Sequence, residues 1–308
     1  MGIVFQNGRF GIDRGQSTVK KSAEGAVLRQ LRSFLDAAEP ELVYFLVNNW
    51  RSQGQAITYK ELREAIISGE ISAEYIDQWR QDYARLVVKH LQPAWLEAIA
   101  KAAEALEEKY PGWYFNPMGD GVLEWVKNRA AAFVTNTTQA QVDCLRAIVQ
   151  RTALLEVKNV DQLARAIRPM VGLTKQQALA NLNYYQSLLD SGVSEKRALD
   201  LSIKYSARQS RYRAYNIART EMAYAYNKGA DEGIRQAQEA GYMGEAEKVW
   251  CTAEDERTCP TCAELEGKVV AMDDEFDFST KLAATDPTIR RTPPAHPGCR
   301  CAIIYRER

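Results

Sequence analysis

The sequence predicts a mainly α-helical protein, with helical bundles followed by a small α+β module at the C-terminus. Between about residues 21 and 240, helix-capping pairs and helix-stop residues recur along the chain. After Gly241, short runs rich in β-branched and aromatic residues alternate with polar loops, and five of the six cysteines lie at or beyond Cys251. The hydrophobic share of 46% and the charged share of 26% are those of a folded chain.

Four helix starts are predicted by a capping residue that has Glu or Gln three positions later, because such a pair satisfies two free amides of the first turn. They are Thr58 with Glu61, Thr138 with Gln141, Asn159 with Gln162, and Thr174 with Gln177. Helix ends are predicted at Gly69, Arg168-Pro169, Gly172 and Ser191-Gly192. A long helical segment over residues 72–110 is expected to bend or break at Pro93.

The strongest interruption of the helical pattern is the stretch 111–121, which contains two prolines and three glycines. We place a domain boundary there. The predicted division is a flexible arm over 1–20, an N-terminal helical domain over 21–115, a second helical domain over 116–240, and a module over 241–308. The second domain ends in a helix or helix pair over about 194–240, and the module has short strands near 248–252, 268–272 and 301–305.

The cysteines of this module have the spacing of a metal site. Cys259 and Cys262 form a CxxC turn, and a second group, His296, Cys299 and Cys301, follows after a gap. Residues two apart on an extended strand point the same way, so Cys299 and Cys301 could both face the metal. We predict one structural zinc ion bound by Cys259 and Cys262 and by two of His296, Cys299 and Cys301, because four protein ligands leave no place for a reacting water.

Zinc would also supplement a module whose three short strands bury too little to be stable alone. The predicted fold class is therefore mainly α, helical bundles followed by a small zinc-stapled α+β C-terminal module. Disulfides or plain buried thiols are the alternatives for the cluster. The two other cysteines, Cys144 and Cys251, are predicted to be packed thiols.

The same segment resembles a known family. The residues that carry the resemblance are Trp250, the stretch 255–262 (DERTCPTC), the stretch 265–267 (LEG) and the stretch 294–301 (PAHPGCRC), with 217–221 (IARTE) and Asn227 upstream. In this order they are similar to the C-terminal motifs of the Mu F-like minor head proteins, which act in head morphogenesis of tailed bacteriophages. The resemblance spans roughly residues 120–308.

The resemblance implies a minor capsid protein with a structural and assembly role. Its implied partner is the portal protein at the portal vertex, with the major capsid or scaffolding protein and double-stranded DNA as further partners and no membrane. Its implied place is the virion, in the capsid interior near the portal, after assembly in the host cytoplasm. The alternative function is a zinc-dependent DNA-binding protein that acts in genome packaging or ejection.

A basic helix over 201–220 supports the DNA hypotheses, because it has five Lys and Arg residues and no acidic residue. Lys204, Arg208, Arg211 and Arg219 fall within an arc of about 80° on a helical wheel, with Tyr215 among them. Such a stripe could follow a phosphate backbone. The alternatives are a solvated face, or arginines paired with the acidic loop 273–275. Ile203, Ala207, Ala214 and Ile217 are predicted to form the opposite, buried face.

Three residues are given structural roles. Arg219 and Glu221 belong to the Arg-Thr-Glu motif, and Glu221 continues the apolar face, where a carboxylate needs a partner. Arg300 lies between two candidate ligands and is the predicted partner, so that the pair would fix the module to the helix. The alternatives are a solvated Glu221 at a frayed end, or a Glu221 that caps loop amides near the CxxC turn.

Charge and hydropathy exclude other classes. Lys and Arg total 40, as do Asp and Glu, so that DNA contact requires a local patch. The sequence lacks a run of about 18 apolar residues for a membrane span and a secretion signal at its N-terminus, so we expect a cytosolic origin with reduced thiols. Several Glu-x-Glu pairs occur, but without the serine, glycine-rich or histidine motifs that would make an enzyme. We therefore predict no catalytic residues.

Overall fold

The computed structural model describes residues 4–6, 9–11, 15–68, 70–153, 165–253, 255–278 and 290–308. Two short strands, β1 (Val4–Gln6) and β2 (Arg9–Gly11), pair antiparallel before the first helix. These strands lie within residues 1–20, for which the sequence predicted a flexible arm without regular structure. The helices that follow are α1 (Gly15–Ala56), α2 (Tyr59–Ser68), α3 (Ala73–Leu86), α4 (Gln92–Lys109), α5 (Asp120–Ala153), α6 (Lys175–Asp190) and α7 (Glu195–Glu239).

The C-terminal part contains a three-stranded antiparallel sheet and a short helix. Its elements are β3 (Ala246–Cys251), α8 (Pro260–Leu265), β4 (Val269–Ala271) and β5 (Ala302–Glu307). The strand order is β4-β3-β5, with Cys251 opposite Ala302 and Val249 opposite Val269. The three strands predicted from the sequence are confirmed, and we call residues 241–308 the C-terminal module.

Several predicted helix boundaries are confirmed. At the start of α2, the Thr58 amide donates to Glu61, and the Glu61 amide donates to the Thr58 hydroxyl. Thr174 and Gln177 form a capping box at the start of α6. Gly172 and Gly192 have positive φ angles of 88° and 79° at the predicted ends, which a side chain rarely permits. The predicted boundaries at Gly69 and at Asn159 lie outside the described residues.

The break expected at Pro93 takes the form of a π-helical turn. Residues Val87–Leu91 form this turn between α3 and α4, and the Gln92 amide donates to the Val87 carbonyl. Proline cannot donate an amide hydrogen bond, and its ring crowds the preceding turn, so the backbone hydrogen bonds are rearranged just before it.

The predicted helix start at Thr138 is wrong, because Thr138 lies in the interior of α5. Its intended capping partner, Gln141, is fully buried and accepts a hydrogen bond from the Tyr83 hydroxyl. That hydroxyl also accepts from the Trp50 indole at 2.9 Å. The threonine and glutamine thus belong to a buried polar region of the helices, which a capping pattern resembles in sequence.

The described chain divides into two compact units. The helical unit comprises residues 38–97 and 118–219, and the terminal unit comprises residues 1–37, 98–117 and 220–308. The core of the helical unit is formed by large side chains, including Leu46, Trp50, Trp79, Tyr83 and Trp95. The four-part division predicted from the sequence stays a prediction.

In the terminal unit, α4 and α7 approach closely at two glycines. A Cβ atom on Gly229 would lie 2.3 Å from the Ile99 carbonyl oxygen, and one on Gly233 would lie 2.9 Å from Leu106. These glycines let the second half of α7 serve as a rigid support, on which the C-terminal module packs.

Candidate metal centre and basic helix face

The CxxC turn is built as the start of α8. Cys259 is the N-cap residue of this helix, and its sulfur accepts a hydrogen bond from the Cys262 amide at 3.4 Å. Pro260 occupies the first helical position, where its missing amide hydrogen costs nothing. The cap therefore turns the Cys259 and Cys262 sulfurs toward the same side.

A second turn presents the remaining candidate ligands. The Cys299 amide donates to the His296 carbonyl at 3.1 Å, and Gly298 has a φ of 73° that allows the tight reversal. The Gly298 amide also donates to the Thr220 hydroxyl of α7 at 3.1 Å, which anchors the turn to the helix. Cys301 comes immediately before β5.

The two turns bring all five predicted ligands into one donor cluster, namely Cys259, Cys262, His296, Cys299 and Cys301. Donor atoms within 4.8 Å of one another form two groups that share Cys262: one includes Cys259 and His296, and the other includes Cys299 and Cys301. The His296 Nε2 lies 3.1 Å from the Cys259 sulfur and 3.2 Å from the Cys262 sulfur. The Cys262 and Cys299 sulfurs are 3.8 Å apart.

Three of these separations are close to those of a tetrahedral metal site. With a metal–sulfur bond of about 2.3 Å, two sulfurs of a tetrahedron are about 3.8 Å apart, as Cys262 and Cys299 are. A sulfur and an imidazole nitrogen would be about 3.6 Å apart, slightly more than the two separations from His296. Each of the two donor groups, one with His296 and one with Cys299 and Cys301, could hold a metal ion.

Cys262, Cys299 and Cys301 are buried, whereas Cys259 and His296 are half-buried. The thiols also influence one another. The pKa of Cys299 is held well below its ordinary value by hydrogen bonds from Cys262 and Cys301, and the pKa of Cys262 is raised by its hydrogen bond to Cys299. A thiolate is the form of cysteine that binds metal. The cluster therefore already favours a thiolate at Cys299.

The donor cluster is part of the core of the C-terminal module. Cys262, Cys299 and Cys301 pack in one buried cluster with Trp250, Leu265, Phe276, Phe278, Ala295 and Ile303. The Trp250 ring meets Phe276 edge-on at 5.0 Å. Any change that separates the sulfurs thus also opens the apolar core.

Arg300 pairs with a carboxylate, but not with the predicted one. Its guanidinium donates two hydrogen bonds to Asp255, one of them at 2.6 Å. The expected pairing of Arg300 with Glu221 is therefore wrong. Asp255 also accepts from the Arg257 amide, and its pKa is lowered chiefly by the hydrogen bonds from Arg300. Glu221 is buried, as the sequence predicted.

The C-terminal module packs on α7, as expected from the sequence, but residues other than Glu221 and Arg300 make the contacts. Besides the contact of Gly298 with Thr220, Arg235 of α7 donates to the Asp273 carboxylate and to the Met272 carbonyl, both at 2.7 Å. The acidic loop 273–275 thus pairs with Arg235 and, at 3.9 Å, with Arg291.

The remaining cysteines and the other histidine lie apart from the donor cluster. Cys144 is buried, its sulfur lies 3.6 Å from the Met170 carbonyl oxygen, and burial raises its pKa to about 12. Cys251 is also buried and belongs to neither donor group. Their interpretation as packed thiols is confirmed. His90 stacks on Phe45 at 3.5 Å.

The structure separates the four residues of the predicted basic stripe. Lys204, Arg208 and Arg211 are exposed on α7, and we call these three the exposed stripe. Arg219 is buried and donates to the Glu39 carboxylate and to the Tyr215 hydroxyl, at 2.8 and 2.9 Å. Arg219 is thus a structural residue of the helical unit, as the Arg-Thr-Glu motif suggested, and its inclusion in the stripe is wrong.

The predicted apolar face of this helix is also wrong in part. Ala214 is buried, but Ile203 is 39% exposed and Ala207 lies on the surface. The buried positions are instead Ser202, Ser206, Ser210 and Arg213. Ser202 and Asn181 of α6 hydrogen-bond to each other, so a polar contact joins α6 and α7 on this face. A wheel of apolar residues cannot locate such a contact.

Arg213 and Asp255 are two positions that the sequence reasoning missed. The Arg213 guanidinium lies 5.0 Å from the Trp50 ring and donates to the Gly172 carbonyl. No local pattern announces that contact. Asp255 could have been found, because an Asp three residues before a Thr, ahead of a CxxC, predicts a side-chain-stabilised turn.

Comparison with known proteins identifies one family. A family model described as phage Mu protein F like protein matches residues 147–304, which is 158 of the 308 residues and includes the whole donor cluster. No curated protein and no solved structure gives a significant match. In the part of the chain that the structure describes, every helix is too short or too polar to cross a membrane.

Proposed function

This chain belongs to the phage Mu protein F like family, and from that premise we propose that it is a minor capsid protein of a tailed phage or prophage. The family match carries this proposal, because it covers both the supporting helix α7 and the donor cluster. We further propose that the protein acts in head morphogenesis at the portal vertex, on the interior side of the capsid. Its role there is structural, and we assign no catalytic residue.

We propose zinc as the metal of the donor cluster. Cysteine and histidine donors at tetrahedral spacing are typical of structural zinc sites, and softer thiolate ligands disfavour calcium or magnesium. The proposed ligand set is Cys259, Cys262, His296 and Cys299. The His296 nitrogen is close to the Cys259 and Cys262 sulfurs, and the Cys262 sulfur is close to the Cys299 sulfur. The ion would hold α8 and the 296–299 turn together, and the module would then present a rigid surface to partners.

Two experiments test the portal proposal. Affinity-tagged chain is recovered from an infected or induced lysate, and co-purified proteins are identified by mass spectrometry. Purified heads are analysed in parallel for the chain itself. We expect the portal protein in the first sample and a low copy number of the chain in the second. A chain that is absent from purified heads would contradict the proposal of a virion component.

The second candidate function is DNA binding during packaging or ejection, and the exposed stripe favours it. At 1.5 Å per residue, Lys204 to Arg211 covers about 10 Å of helix, which is about three times the ~3.4 Å axial spacing of phosphates along one strand of duplex DNA. The exposed Tyr212 and Tyr215 lie beside these cations and could stack on bases or sugars. Portal co-purification that persists when the stripe is neutralised would favour the assembly role over this one.

A further inference from the structure

The ion pair of Asp255 with Arg300 joins the turn that precedes the CxxC to the segment that carries Cys299 and Cys301. Asp255 lies four residues before Cys259, and Arg300 lies between Cys299 and Cys301. Arg300 donates from both terminal nitrogens to both oxygens of the carboxylate. Two parallel hydrogen bonds fix the relative orientation of the groups as well as their distance.

Asp255 also shapes the turn that leads into the CxxC. Its carboxylate accepts from the Arg257 amide at 3.1 Å, and its backbone carbonyl accepts from the Thr258 amide at 2.9 Å. The Asp255 amide in turn donates to the Thr258 hydroxyl at 3.3 Å. The turn ends at Cys259, whose sulfur caps α8. The position of the Cys259 sulfur therefore depends on the turn that Asp255 organises.

On the other side, the Arg300 side chain points away from the buried cysteines that flank it. Cys299 and Cys301 are 3% and 4% exposed, whereas the Arg300 side chain is 23% exposed. Alternation along an extended segment places Cys299 and Cys301 on the inner face and Arg300 on the outer face. Because Asp255 holds the Arg300 guanidinium on the outer face, the pair restrains the backbone that carries the Cys299 and Cys301 sulfurs.

We propose that Asp255 and Arg300 form a clamp that positions the two halves of the metal site, and that this clamp controls how fast the ion is released. The inference rests on the proposed zinc site. Neither residue is a ligand; each acts through the cysteines next to it in the chain. Partners outside the ligand shell commonly change metal affinity by about 10- to 100-fold when they are removed.

The test compares zinc release from the full-length, zinc-loaded chain. Asp255→Asn keeps an acceptor for the Arg257 amide but loses the charge, and Arg300→Lys keeps the charge but loses the two-bond geometry. The control is Glu247→Gln, which removes the ion pair with Arg308 in the same module. Its carboxylate is 24% exposed, close to the 29% of Asp255. Release is followed with a chromophoric chelator, and the cobalt-loaded forms give the spectrum of the ligand set.

We expect both clamp variants to release zinc about 10- to 100-fold faster than the parent, and Glu247→Gln to match the parent. The double variant should be no faster than the faster single variant, because both substitutions remove the same contact. The cobalt spectrum of the variants should keep its tetrahedral thiolate form, since the ligands remain.

Each contrary result has a distinct meaning. A parent chain that binds zinc while both clamp variants release it at the parental rate overturns the clamp alone. Equal acceleration by Glu247→Gln also overturns it, because the effect would then reflect general loosening of the module. A reduced parent chain that binds no zinc overturns the proposed metal site, and the clamp with it.

Discussion

In the helical unit the core consists of large apolar side chains such as Trp50, Trp79 and Leu46. In the described C-terminal module, the buried cluster around Trp250 has nine residues, of which three are cysteines of the donor cluster. The first core is stabilised mainly by apolar burial, with buried hydrogen bonds such as that of Tyr83 with Gln141. The second brings together sulfur atoms that gain little from one another without a shared ion. The two regions should therefore respond to different perturbations, and each of the following predictions tests that separation.

Metal removal should have the largest effect, and it should be confined to the C-terminal module. Structural zinc contributes about 10–16 kcal/mol of apparent binding free energy in small domains. A chelator should therefore abolish hydrogen-exchange protection in β3, β4 and β5. Amides of α3, α5 and α6 should keep their protection. Loss of protection in both regions at the same chelator concentration would contradict the separation.

Breaking the buried ion pair of Arg219 and Glu39 should destabilise the helical unit and leave the metal site intact, which is the opposite of the effect of metal removal. Their side chains are 11% and 5% exposed, and removing one partner of a buried pair costs about 3–5 kcal/mol because the other charge is stranded. Glu39→Gln and Arg219→Met should each lower the unfolding free energy of the helical unit. Zinc content, measured by elemental analysis, should stay at the parental value. A loss of zinc in these variants would show that the two regions are not independent.

Removing the anchor of the 296–299 turn should give a smaller effect in the module. Thr220→Val deprives the Gly298 amide of its acceptor, and an unsatisfied, partly buried donor costs about 1–3 kcal/mol. The module should therefore exchange faster and melt earlier, with the helical unit unchanged. Thr220→Ser, which retains the hydroxyl, is the matched control and should behave as the parent does.

The smallest effect on stability is expected at the exposed stripe. Arg208→Glu with Arg211→Glu should change the unfolding free energy by less than about 0.5 kcal/mol, because both side chains are on the surface. The same variant should weaken duplex DNA binding and flatten its salt dependence, since fewer counterions are released. Unchanged affinity at low and moderate salt would identify the stripe as a solvated face.

The C-terminal module was the most predictable part of the molecule, because its information is local. A CxxC turn, a His-Pro-Gly-Cys turn and three short β-branched runs each specify their own geometry. The partner of Arg300 was harder to choose. Both Glu221 and Asp255 are carboxylates at plausible positions, and only the tertiary arrangement shows that the guanidinium faces the turn before the CxxC.

The sequence predicted which segments form long helices, but it did not predict which face of α7 is buried. The periodicity of α7 suggested an apolar face at Ile203 and Ala207, yet the structure buries Ser202, Ser206 and Ser210 and pairs Ser202 with Asn181 of α6. Small residues allow helices to approach closely, and the hydroxyls of Ser202 and Ser206 donate to the Asn181 side chain and to the Ile203 carbonyl, respectively. Hydrophobicity alone therefore gives the wrong face. Likewise, Arg219 lies on the same arc as the exposed cations, but it is neutralised by Glu39, which is 180 residues away in sequence.

The central claim, that the C-terminal module is assembled around one structural zinc ion, is tested most directly by metal stoichiometry. The full-length chain is purified under reducing conditions without added metal, and its zinc content is measured by elemental analysis and native mass spectrometry. We predict close to one zinc per chain in the parent and in Cys144→Ser, and none in Cys262→Ser. A parent chain without zinc, or one in which Cys259 is found in a disulfide, would contradict the claim.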